Sequence, residues 1–184
     1  IATTPNINCG GNINYVDVDN SIIFSDCQNK IISFDKSTNK LVTYKLQSKI
    51  PYGVNVNKKK VFYINENNFL LSYDLENTNV TWKIELNAQV KSIPQILNNQ
   101  IFFNSVDGSV ISYEISSGSP SWIYNSVQSS LSLNLIRHSA LSNKKTLLTS
   151  FPGGKVVSLN AENGLELWSN FAAFPEGDND IERL

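Results

Sequence analysis

The chain has 184 residues, 41% hydrophobic and 10% aromatic, enough to bury a sizeable core. Its formal net charge of -1 supplies no field that would gather nucleic acid or an anionic membrane surface, so neither is expected as a partner. No apolar run approaches the roughly 18 residues of a spanning helix, and the chain reads as a soluble protein. It opens on Ile1 and holds no Met, as a processed or trimmed chain would.

In chain order, Cys9 and Cys27 come first. They lack the C-x-x-C spacing and the companion His cluster of a redox or zinc site, so two partly buried free thiols are expected in preference to one bridge. Gly10-Gly11 reads as a turn. Tyr15 to Asp19 is strand-like, and SIIFSDCQNKIISFDKSTNKLVTY (21–44) follows it. The same design returns as KVFYINENNFLLSYDLENTNVTW (60–82), QIFFNSVDGSVISYEISSGSPSW (100–122) and TLLTSFPGGKVVSLNAENGLELW (146–168). Each copy has a β-rich run, a polar turn, a second β-rich run through Ser33, Ser72, Ser112 or Ser158, another turn, and a closing aromatic. Asp107-Gly108 and Gly153-Gly154 are hairpin signals, because such turns need positive φ.

The serines and the closing aromatics Tyr44, Trp82, Trp122 and Trp168 both recur at about forty residues, the period of propeller blades. Shorter strand-like segments lie between the copies: Tyr52 to Asn57, Ser92 to Leu97 and Leu131 to Leu141. With the one at Tyr15 they bring each unit to four antiparallel strands. The expectation is an all-β chain of about four blades, at 12–46, 50–86, 90–126 and 131–171, with 172–184 opening another. Almost no helix is expected, since no stretch keeps a 3.6-residue period for three turns. Tyr44, Trp82, Trp122 and Trp168 are assigned to docking against the neighbouring blade, where a Trp can lay down its apolar face and satisfy its N–H. Four blades do not close a ring comfortably. The chain is therefore expected to be part of a larger propeller, its end blades covered by a partner or by self-association.

The stretch Gly154-Lys-Val-Val-Ser-Leu-Asn-Ala-Glu-Asn-Gly164-Leu-Glu-Leu-Trp168 resembles the propeller repeat first known from pyrroloquinoline quinone (PQQ) enzymes. Leu131-Ser-Leu-Asn-Leu-Ile-Arg-His-Ser-Ala140 and the closing Asp180-Ile-Glu-Arg-Leu184 are similar to segments of the BamB family of outer-membrane assembly lipoproteins. That resemblance implies an eight-bladed parent, lipid-anchored at the periplasmic face of the bacterial outer membrane. The implied work is a non-catalytic scaffold that docks the BamA-type insertase and helps outer-membrane proteins insert, with unfolded outer-membrane proteins as a further partner class. Arg137, with Leu133, Leu135 and Ile136 beside it, is then the partner-binding group. An Arg offers five fixed donors and leucines give an apolar anchor. The pattern departs from the family in two ways. Aligning on Ser139-Ala140 puts Ile136 at the family's Arg position, and the family's Asp-x-Asp pair would fall after Leu184.

No catalytic, cofactor-binding or metal site is expected. One histidine, His138, and no nucleophile elbow leave no Ser/His/Asp arrangement, and no phosphate-binding glycine loop is present. Asp26, Asp35, Asp74 and Asp107 sit at turn positions, where an acid accepting turn amides is the ordinary role. The alternative functions are a fragment of a PQQ-dependent quinoprotein dehydrogenase and an unassigned PQQ-like interaction or sensor propeller. The triplet Asn79-Val-Thr81 matches a glycosylation acceptor of the kind that arises by chance in an Asn-rich chain.

Overall fold

Turn chemistry fixes where each strand stops. Asp35 Oδ1 accepts the Ser37 and Thr38 amides, both at 2.9 Å, and the Ser37 hydroxyl at 2.6 Å. One repeat later Asp74 accepts the Glu76 and Asn77 amides at 2.8 and 3.1 Å. Asn160, at the same place in the last copy, accepts the Glu162 amide at 2.9 Å. Four residues beyond each of these caps the chain enters the left-handed region, at Asn39, Thr78 and Gly164, as it does at Gly118, four beyond Glu114 in the third copy. Each turn then reverses into an outer strand.

The computed structural model describes residues 15–126, 139–141 (backbone only), 145–151 and 154–172. Among the described residues sixteen strands form four sheets. The first holds β1 (Tyr15–Val18), β2 (Ser21–Ser25), β3 (Lys30–Asp35) and β4 (Lys40–Lys45). The second holds β5 (Val54–Asn57), β6 (Lys60–Ile64), β7 (Phe69–Asp74) and β8 (Asn79–Glu85). The third holds β9 (Gln95–Leu97), β10 (Gln100–Asn104), β11 (Ser109–Glu114) and β12 (Pro120–Asn125), and the fourth β13 (Ser139–Leu141), β14 (Thr146–Ser150), β15 (Lys155–Asn160) and β16 (Glu166–Phe171). Within each sheet the strands lie side by side in chain order and antiparallel, and no α-helix occurs among the described residues. Four four-stranded meanders are the blades that the forty-residue period requires.

Contacts divide the chain into two units, Ile1–Asn87 and Ala88–Leu184. In the first, β1 packs beside β5, and Ile23 and Ile31 of the first blade close a core with Val54, Val61, Tyr63, Leu71 and Tyr73 of the second. In the other unit, β13 packs beside β9, and Phe102 and Val110 of the third blade meet Leu147, Phe151, Val157 and Leu159 of the fourth. The two middle strands of a blade are buried on both faces, so β6 and β7 read as near-continuous apolar runs. The outer strands β4, β8, β12 and β16 are largely exposed.

The structure corrects the reading of the cysteines. Cys27, in the β2–β3 turn, is disulfide-bonded, and the only other cysteine in the sequence, Cys9, lies outside the described residues. Spacing misjudged the pair because bridging depends on which segments meet in space. Tyr15, the first described residue, pairs with Phe24 at the end of β2, three residues before Cys27.

The Asp35 cap carries a pH prediction. Its hydrogen bonds, led by the Ser37 hydroxyl and then the Thr38 amide, hold the carboxyl down at about 2, against an ordinary 3.8. A depressed carboxylate stabilises the fold fully above its unfolded value and stops doing so as pH falls through the folded one. The gap in urea midpoint between wild type and Asp35→Ala should therefore be flat near neutral pH and close between about pH 4 and pH 2. A gap that survives at pH 2 would show that the side chain acts by shape and not by charge.

Candidate functional site

An exposed outer strand on a blade needs something to hold it to the next blade, and Trp122 shows how this is done. On β12 it stands opposite Ser112, with its ring 5.6 Å from that of Phe102 in its own blade. Its Nε1 donates to the Ala161 carbonyl of the fourth blade at 3.2 Å. The ring covers Gly164 so closely that a Cβ built there would lie 2.4 Å from Trp122 Cε3. Gly164 also sits at φ 73°, so two independent constraints exclude a side chain.

Around this lock further hydrogen bonds join the third and fourth blades. Gln100 Nε2 donates to the Glu162 carbonyl at 3.2 Å, and buried Asn104 Nδ2 donates to buried Thr149 Oγ1 at 2.7 Å. The Tyr124 hydroxyl donates to Glu166 at 2.6 Å. Burial and this bond push Tyr124 up to about 12, while the Ser169 hydroxyl and Tyr124 hold Glu166 below the usual carboxylate range. Sequence spacing pointed to Trp122 but not to Gly164 as its seat. The left-handed position four residues after each turn cap was the available signal.

The other closing aromatics divide. Trp82 stands opposite Ser72, 5.8 Å from the Phe62 ring, in the geometry of Trp122. Trp168 stands opposite Ser158 and is 50% exposed. In all three blades a register shift beside the serine inserts one extra residue in the outer strand. In the second blade this extra residue is Thr81, whose hydroxyl donates to Ser72 Oγ at 2.8 Å. The first blade has no such shift. There Val42 stands opposite Ser33, and Tyr44 falls one pleat further on, opposite Ile31. Tyr44 thus matches the position of Tyr124, which lies opposite Val110, and it meets Tyr73 of the second blade edge-on at 6.1 Å.

The acids at turn positions are spent on backbone amides. Besides Asp35 and Asp74, Asp26 Oδ1 accepts the Gln28 and Lys30 amides at 2.9 Å, and Asp107 Oδ1 accepts the Ser109 amide at 3.0 Å. Among the described residues no group of three His, Cys, Asp or Glu side chains is placed to hold a metal ion. Leu133, Leu135, Ile136 and Arg137, read as partner-binding, lie outside the described residues, as does His138. They immediately precede β13, the first strand of the fourth blade.

Repeated four-stranded blades joined through an outer-strand indole define a β-propeller of the PQQ-repeat type. The family model described as outer membrane protein assembly factor BamB matches residues 28–184, and the chain belongs to that family. A curated outer membrane protein assembly factor BamB from Burkholderia pseudomallei is 28% identical over 103 residues, which cover 56% of this chain and 27% of that protein. The crystal structure of BamB from Moraxella catarrhalis superposes with a TM-score of 0.79 at 15% identity, covering 92% of this chain and 52% of that one. A quinohemoprotein alcohol dehydrogenase from Pseudomonas putida HK5 gives a TM-score of 0.68 at 15% identity, covering 85% and 33%. The last two likenesses establish the fold. The chain spans about half the length of the first structure and less of the curated relative.

Proposed function

We propose that the chain is part of a non-catalytic scaffold for outer-membrane protein assembly, working at the periplasmic face of the outer membrane in a lipid-anchored parent. The family match over residues 28–184 carries the reading. Two structural features agree with it. The turn acids that an Asp-base mechanism would draw on are committed to amides, and Cys27 is disulfide-bonded, a state that persists in oxidising compartments such as the periplasm.

The docking partner in this reading is a BamA-type insertase, with Arg137 as its polar anchor and Leu133, Leu135 and Ile136 as the apolar contact. In the sequence they come shortly before β13. Unfolded outer-membrane proteins are the further partner class. The test is a pull-down of the insertase by the intact parent, comparing wild type with Arg137→Glu and Leu135→Glu. Loss of capture in both, with the β-sheet circular dichroism kept, is the expected result; capture unchanged in both moves the contact elsewhere on the blades. The rival reading, a quinoprotein dehydrogenase fragment, shares the fold and predicts an absorbance change and calcium-dependent stabilisation on adding PQQ; neither is expected.

A further inference from the structure

The first two blades lack the plug that joins the last two. Val42 occupies the place opposite the repeat serine where the other blades carry Trp. In the second blade the residue at Gly164's position in the repeat is Thr78, left-handed at φ 53° and carrying a Cβ. Val42 and Val80 are accordingly left 48% and 44% exposed.

A groove of about 670 Å³ remains within this unit. It follows β7 and β8 and is bounded at one end by Lys45–Ser48, where the chain leaves β4. Tyr63, Leu71, Tyr73 and Val80 give it an apolar wall, Asn65 and Asn67 add amides, and Lys45 and Lys83 supply two cations, with no carboxylate among the described residues that line it. Lys83 is positioned over the Phe69 ring, 3.9 Å from its centroid. A groove of equal size between the third and fourth blades differs in kind, since its Lys145 shares the lining with Glu114 and Glu162.

We propose that the groove between the first and second blades binds an extended acidic peptide segment carrying an aromatic or aliphatic side chain. The unopposed lysines select negative charge, and the tyrosines and Val80 receive the apolar group. Alongside, β8 is the edge of its sheet, so an extended segment matches the groove's length and direction. The site is independent of the insertase docking proposed above, because it uses neither Arg137 nor the strand entry at β13.

The test uses the chain as it stands and a fluorescein-labelled decapeptide alternating Glu with Phe and Leu, against the same peptide with Lys for Glu. Fluorescence anisotropy should show binding of the acidic peptide alone, weakening as salt is raised. Lys45→Glu with Lys83→Glu, both exposed and compatible with the fold, should weaken it roughly tenfold. A second variant, Val42→Trp with Thr78→Gly, recreates the Trp122–Gly164 pairing and should raise the melting temperature of the unit while abolishing binding. Equal binding of the two peptides, no binding by wild type, or unchanged affinity in the lysine variant would overturn the proposal. Retention of binding by a stabilised Val42→Trp/Thr78→Gly chain would overturn its placement in this groove.

Discussion

Gly164→Ala is expected to cost the third and fourth blades about 2 to 4 kcal/mol, a large loss for the exchange of one hydrogen for a methyl group. Two costs combine. The methyl would enter the Trp122 ring at 2.4 Å, and the backbone sits at φ 73°, where any L side chain is strained. Urea unfolding in two backgrounds separates them. With Trp122→Ala in place there is no ring to strike, so the same substitution should cost only the conformational part, about 1 kcal/mol. Trp122→Ala alone should be destabilising by about 2 to 4 kcal/mol, since it removes a half-buried indole and its bond to the Ala161 carbonyl. An equal cost for Gly164→Ala in both backgrounds would mean that the indole is not what reserves the position for glycine.

The second large effect is expected at Cys27. Reduction, or Cys27→Ser, should lower stability by about 2 to 4 kcal/mol, because a crosslink restricts the unfolded chain. Cys9→Ser should have the same effect, Cys9 being the only other cysteine. Thermal melts with and without reductant, read beside non-reducing mass spectrometry, check both. A monomer of unchanged melting point after reduction would contradict a stabilising bridge, and a covalent dimer would place the partner on a second copy.

Much of the fold is legible because its causes are local. The alternation in Val110-Ile111-Ser112-Tyr113-Glu114 and the acid caps at Asp35 and Asp74 act within a few residues, so each copy of the repeat carries its own instructions for strand and turn. The repeat also singled out Trp122, since a large aromatic recurring on an outer strand suits contact with a neighbouring blade. The residues read as the partner anchor, Leu133 to Arg137, rest on resemblance, because a binding residue's role depends on what it meets.

What the sequence determined by itself is the blade: its four strands, its turns and its period, all encoded within about forty residues. What the tertiary structure alone decided is how blades meet. Whether an outer strand takes in one extra residue shows only in its pairing with the neighbouring strand, where Thr81, Ser121 and Leu167 are the residues so inserted. In the first blade that extra residue is absent, so Val42 takes the place that spacing had assigned to Tyr44. The same holds for the seat of Trp122 on Gly164 and for the bonded state of Cys27. Each joins groups separated in sequence, and proximity of that kind exists only once the sheets have packed.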